Sequence, residues 1–224
     1  MKRESEQIIK EMADRLPVLK PLLTQLFQAA DLMIETFSCG GKVLICGNGG
    51  SAADSEHIAG ELLKGFMQRR PMPERIRRDI CSCLAARGLS LADDVLDRLQ
   101  MGLPAIPLVS QAAIGSAIAN DQGADLVYAQ QVLALGRPGD LLIGLSTSGN
   151  AHNVIQAVLV AKGLGLHTLG LTGSGGGKLD LAADLCLKVP AESTPLVQEL
   201  HLPVYHALCA AAEQHFFGGT LKSD

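Results

Sequence analysis

Tryptophan is missing from this chain of 224 residues, and Tyr and Phe number only 2 and 5. That scarcity removes the aromatic platforms on which single-stranded nucleic acids stack. Positive charge is not in excess either: 19 Lys and Arg against 23 Asp and Glu give a formal net charge of -4, which offers a nucleic-acid backbone no attraction. No apolar run approaches the ~20 residues of a membrane-spanning helix. Residues 1–6 carry mixed charge and lead into no apolar segment of the signal-peptide kind. The cysteines at 39, 46, 81, 83, 186 and 209 lack the spacing of a disulfide framework, and several fall in apolar patterns where Cys acts as a small hydrophobe. Cys81-x-Cys83 is too short for a zinc knuckle, and both are read as packing residues. The expectation from these absences is a reducing, cytoplasmic setting with neither nucleic acid nor membrane as a partner. A phosphorylated small molecule, which needs only a local positive site, fits better.

With 47% hydrophobic residues the chain can bury a full core, most simply as a single domain over 1–224. Its organising stretch starts at the apolar run of residues 42–46 and continues Gly47-Asn48-Gly49-Gly50-Ser51 into an alanine-rich helical segment. This reads as strand, glycine turn and helix start. Glycines let a ligand approach the backbone, and the first turn of a helix offers free N–H groups and a positive dipole end. Ser51 adds a hydroxyl. One or two turns further on, His57 and Glu61 stand at i and i+4 on one helix face.

The remaining pattern alternates between the two periods. Residues 5–38 are an amphipathic helical segment that Pro17 and Pro21 break or kink. A helix is expected over 52–68, then a helical hairpin over 73–102, with Ile76, Ile80 and Leu84 on one face and Leu91, Val95, Leu96 and Leu99 in its second part; Ser90 and Asp93 resemble an N-cap box. Strands are expected at 105–109, 140–146, 167–172 and 185–189. Helices are expected at 111–119, 125–135, 151–164, 178–183 and 194–217, and residues 218–224 should fray. Apolar strands separated by helices imply a parallel sheet covered on both faces, so the expected fold is α/β: a three-layer αβα sandwich around a five-stranded parallel sheet, flavodoxin-like or Rossmann-like.

A second turn of the same kind follows the strand at 140–146: Ser146-Thr147-Ser148-Gly149-Asn150. It reads either as an ordinary helix N-cap or as a second phosphate cradle. Two such turns at the carboxyl ends of parallel strands favour the cradle. Together with Leu171-Thr172-Gly173 before Gly176-Gly177-Lys178, and Gln198-Glu199-Leu200-His201, these motifs resemble the sugar isomerase (SIS) family over nearly everything except 73–102. The resemblance implies an aldose–ketose isomerase, of the branch acting on a seven-carbon ketose phosphate to supply heptose for a surface polysaccharide. It further implies a homotetramer with sites between subunits, and one zinc ion per subunit held by His57, Glu61, Gln198 and His206. Glu61 and His206 match the family's acid/base pair. Asn48, Gly49, Gly50, Ser51, Glu61, Asn120, Asp121, Ser146, Thr147, Ser148 and Gln198 match its substrate-binding positions.

Each of these residues has a plainer reading too. A lone His-x-x-x-Glu is a common helix-surface pair. His201 is expected to be structural or interfacial, and His152, His167 and His215 solvated or core-satisfied. Departures from the family pattern are the added segment 73–102, Ala151 in place of a serine, Pro195 in place of an aspartate, and Pro203 within the terminal helix, where a kink threatens the placement of His206. A zinc-bound Glu61 would also be a poorer base. Two other functions remain open at this point: a non-catalytic SIS protein acting through protein partners, and a sugar-phosphate-sensing regulator, which the charge and the lack of a DNA-binding region disfavour.

Overall fold

A computed structural model of the chain describes residues 1–92 and 94–219. The expected N-cap box partner Asp93 and most of the segment expected to fray therefore lie outside the described residues.

Five parallel strands, β1 (Val43–Gly47), β2 (Ala105–Pro107), β3 (Leu141–Leu145), β4 (His167–Thr172) and β5 (Leu185–Lys188), form one sheet in the order β2-β1-β3-β4-β5. The pleat sorts their side chains by parity. Val43, Ile45, Leu141, Ile143, Leu169 and Leu187 join one buried cluster, whereas Leu44, Cys46 and Leu142 join the other. Helices α1 (Arg3–Arg15), α2 (Leu23–Ser38), α3 (Gly50–Leu63) and α10 (Thr194–Phe217) cover the first face. On the second lie α7 (Val127–Leu135), α8 (His152–Gly163) and α9 (Gly177–Ala182), preceded in the chain by α6 (Ala112–Asp121). The three-layer fold matches the expectation. Pro17 and Pro21 convert residues Pro17–Leu22 into a 3-10 turn between α1 and α2.

The order of the sheet places the site. From β1 the chain crosses to β2 on one side, and from β3 to β4 on the other, so the carboxyl ends of β1 and β3 flank the switch point where open α/β sheets bind ligands. Both glycine- and hydroxyl-rich turns leave the sheet there.

Three expectations need correction. Helix α3 stops at Leu63 rather than near 68, because the buried guanidinium of Arg70 folds back to donate to the carbonyls of Glu61 and Leu62. The hairpin over 73–102 is one helix, α4 (Glu74–Ala85), followed by the single turn α5 (Val95–Arg98). Among the described residues only Leu96 of its apolar side chains is buried; Leu91 and Leu99 are exposed. Cys81 and Cys83 are exposed rather than packed. The terminal helix, by contrast, runs unbroken through Pro203 and carries His206 to the site.

Candidate active site

Three helix N-termini open on one cleft of about 340 Å³ at the switch point: α3 with Gly49, Gly50 and Ser51, α8 with Ser146, Thr147 and Ser148, and α10 with Thr194. Among the described residues no Lys or Arg lines it, so an anion there would be held by backbone N–H groups, hydroxyls and the positive helix ends. Two amides fix the loops against each other: Asn48 Nδ2 donates to Asn153 Oδ1 (2.8 Å), and Asn153 Nδ2 returns a bond to Asn48 Oδ1 (2.9 Å). The buried Tyr128 hydroxyl donates to Gly47 O at 2.5 Å, and burial pushes its pKa up to about 12. Gly50 lies against the Gln198 side chain, so a Cβ there would stand 2.4 Å from Gln198 Nε2 and push that amide aside. Gly149, at φ +67°, lies so close to the 173–177 loop that a Cβ would fall 1.9 Å from Gly176 O.

Along the same two helices, α3 and α10 bring three side chains together. His57 Nε2 lies 3.1 Å from Glu61 Oε1 and 3.3 Å from His206 Nε2, and the two imidazole rings meet edge to face at 4.9 Å. Burial lowers the His206 pKa, with the His57 charge adding to the effect and Glu61 opposing it. Behind His57 stands Tyr205, whose hydroxyl is 3.1 Å from both His57 Nδ1 and Asp54 Oδ1. Burial raises the Asp54 pKa against the Tyr205 hydrogen bond and the His57 charge. His206 also lines a larger cavity of about 570 Å³ with Phe66 and with Arg15 of α1.

What holds α3 to α10 is a fully buried ion pair. Arg70 Nε lies 2.8 Å from Glu213 Oε1, and Glu213 also accepts from the backbone N–H groups of Phe66 (2.8 Å) and Met67 (2.7 Å). Arg70 stacks on Phe217 at 4.9 Å while its other nitrogens cap α3. The polar ends are thus paired within the core, as buried charge demands.

The expected residues therefore divide between two places. Asn48, Gly49, Gly50, Ser51, Ser146, Thr147, Ser148 and Gln198 line the loop cleft. His57, Glu61 and His206 meet beyond it. Asn120 and Asp121, at the end of α6, are exposed and hydrogen-bonded to each other at 2.8 Å; neither lines the cleft. Ala151 and Thr194 are in the lining, so the serine-to-alanine departure falls at the cleft itself. Among the described residues no group of three or more His, Cys, Asp or Glu is arranged as a metal site. The donors His57 Nε2, Glu61 Oε1 and His206 Nε2 are of the kinds zinc takes. Gln198, the fourth expected ligand, rests against Gly50. Tyr205, Asp54, Asn153 and the Arg70–Glu213 pair were not foreseen from the sequence. Asp54 alone carried a local signal, standing three residues before His57 on the same helix face.

A doubly wound sheet with two such loops at its switch point defines a SIS domain, and the model of that family matches residues 8–77 and 91–173. The break in the match, 78–90, falls within α4 and the chain after it. A phosphoheptose isomerase of Trichlorobacter lovleyi is 39% identical, the match covering 94% of each chain, and one of a Roseiflexus species is 42% identical over 84% of this chain and 80% of its own. The solved structure of a phosphoheptose isomerase from Neisseria gonorrhoeae superposes with a TM-score of 0.70 at 34% identity, covering 94% of both chains. That from Francisella tularensis gives 0.72 at 30% identity, covering 89% of this chain and 91% of the other. The chain belongs to the SIS domain family and, within it, to the phosphoheptose isomerases.

Proposed function

We propose that the protein interconverts D-sedoheptulose 7-phosphate and D-glycero-D-manno-heptose 7-phosphate through a cis-enediol, as a step toward heptose for surface polysaccharide. The observation that carries this reading is that Glu61 and His206 flank the same His57 ring, on the two helices whose N-termini also form the anion cleft. The rise of α3 from Gly50 to His57 is about 10 Å, a span suited to a long sugar chain with its phosphate on the loops and its carbonyl end at the acid/base pair. Hydroxyls of Ser51, Ser146, Thr147 and Ser148 and the N–H groups of two helix starts hold the phosphate. Gln198, between the two regions, bonds sugar hydroxyls.

Glu61 is the base that takes the proton from C1, and it returns one to C2. His206 moves the second proton between the two oxygens, the role for which an imidazole of lowered pKa is suited. His57, Glu61 and His206, with Gln198, are the residues that would hold one zinc ion per subunit, which when bound would polarise the carbonyl and the developing enediolate as a Lewis acid. Asn120 and Asp121, away from this chain's own cleft, serve a neighbouring subunit's site in a homotetramer. The exposed Leu196 and Leu202 of α10 support a subunit contact beside the site. A cytoplasmic location is in keeping with the finding that no helix among the described residues is long and apolar enough to cross a membrane. The convergence of Glu61 and His206 disfavours a non-catalytic role.

A panel of ketose phosphates of five, six and seven carbons tests the assignment, with aldose formation followed for each. The seven-carbon substrate should give the highest kcat/KM. No aldose from it, or a tenfold preference for a shorter ketose, would overturn the substrate assignment.

A further inference from the structure

Two side-chain amides bridge the turns that form the anion cleft, and a neighbouring donor fixes the sense of their hydrogen bonds. The Val154 N–H donates to Asn153 Oδ1 at 3.0 Å, which marks that atom as the oxygen. The atom of Asn48 that faces it at 2.8 Å is therefore Nδ2, and Asn48 Oδ1 takes the returning bond from Asn153 Nδ2 at 2.9 Å. The Tyr128 hydroxyl, whose proton is shared with Gly47 O, faces the other lone pair of Asn48 Oδ1 at 3.1 Å. With its oxygen engaged twice and one of its two N–H bonds donating, Asn48 has a single N–H left for a ligand. Asn48 stands in the turn before α3, and Asn153 stands 105 positions further on, in the first turn of α8.

We propose that Asn153 is a positioning residue for the anion cleft: through its paired amide with Asn48 it sets the spacing of the two turns, so that both donate to one phosphate. The inference rests on the reading of that cleft as the phosphate site given under Proposed function. Gly49, Gly50 and Ser51 line the cleft from one turn and Ser146, Thr147 and Ser148 from the other, whereas Asn153 is not in the lining and acts through Asn48. An anion held by N–H and hydroxyl groups alone depends closely on their geometry, because such bonds weaken steeply as distance and angle depart from the optimum. Binding groups of this kind need to be held within about 0.5 Å of the productive arrangement. The amide pair is exposed, so water can replace its hydrogen bonds in the energetics of folding, but water cannot hold two turns at one spacing. Loss of the pair is therefore read in phosphate affinity and not in unfolding.

The test compares the full-length protein with Asn153→Ala, Asn48→Ala and the double variant. Inorganic phosphate is titrated into each and followed by 31P NMR, and KM and kcat are measured with sedoheptulose 7-phosphate. In Asn153→Ala phosphate affinity should fall about 10-fold, the loss of one hydrogen bond to a charged group. KM should rise by the same factor with kcat within about twofold and Tm within about 3 °C. Because the two amides act as one unit, the double variant should bind phosphate within about twofold of the weaker single variant. Phosphate affinity and KM within twofold of the unsubstituted protein in Asn153→Ala, with or without a fall in Tm, overturn the positioning role. Losses that multiply in the double variant, to about 100-fold, overturn it as well, since Asn48 and Asn153 would then act independently. If the unsubstituted protein binds no phosphate, the reading of the cleft fails and this inference falls with it; phosphate binding that survives in Asn153→Ala overturns this inference alone.

Discussion

Arg70→Met should be among the most damaging single substitutions outside the site, although Arg70 touches none of the side chains assigned to chemistry. Arg70 is 0% exposed and Glu213 is 0% exposed, and the pair links the end of α3 to α10, the two helices that carry Glu61 and His206. Removing the guanidinium leaves the Glu213 carboxylate buried with only the N–H groups of Phe66 and Met67 as partners, and strips the cap from the Glu61 carbonyl. Breaking a buried pair from one side costs about 3–5 kcal/mol. For a domain of this size that corresponds to a fall in Tm of roughly 6–20 °C. The loss should be read from urea unfolding at matched protein concentration, because an oligomer's stability depends on concentration. Replacing both partners, as Arg70→Met with Glu213→Leu, removes the unpaired charge. The double variant should be more stable than Arg70→Met alone, with a coupling of about 2 kcal/mol or more. Arg70→Met within 1 kcal/mol of the unsubstituted protein, or a double variant no better than the single, would refute this account of the clamp.

Three further predictions concern positions outside the acid/base pair. His201 is buried, and burial lowers its pKa to about 4, against which a contact with the Thr172 backbone acts only in part. Between pH 6.5 and pH 4 the unfolded chain binds a proton at this position that the folded chain refuses, so stability falls as pH falls through that window, by about 3 kcal/mol in all. His201→Leu should flatten that part of the stability–pH profile, and a profile of unchanged slope would contradict the assignment. Gly149→Ala combines a positive φ with a Cβ 1.9 Å from Gly176 O and should cost about 2 kcal/mol or more and raise KM by displacing the 173–177 loop. Gly60→Ala, whose Cβ would meet nothing within 4 Å in α3, should instead stabilise by about 0.4–1 kcal/mol, and the two should differ in sign in the same unfolding assay.

The sheet was legible in the sequence because each central strand is a continuous apolar run, and burial on both faces leaves no alternation to confuse with a helix. The two loops were legible because glycine and hydroxyl residues stand immediately after those runs. His57 and Glu61 showed as an i,i+4 pair. His206 lies 149 positions from His57, and only the family motif selected it. Long-range partners account for the misses. The end of α3 is set by Arg70, whose folding back no local pattern encodes. The Tyr205–Asp54 contact spans 151 positions, and the Arg70–Glu213 pair spans 143. In the segment 73–102 the periodicity of Leu91 and Leu99 was sound as a pattern, but among the described residues both stay largely exposed, so periodicity alone overstated the helix.

The central claim, that Glu61 and His206 carry out proton transfer on a sugar phosphate held by the two loops, is tested most directly by Glu61→Gln. This change keeps the size of the side chain and a hydrogen-bonding oxygen while removing the base. Conversion of sedoheptulose 7-phosphate to the aldose should fall by about 10²–10⁴-fold in kcat. Binding of the substrate phosphate should change little, since the loop cleft is lined by other residues. Turnover by Glu61→Gln within a few-fold of the unsubstituted enzyme would contradict the account.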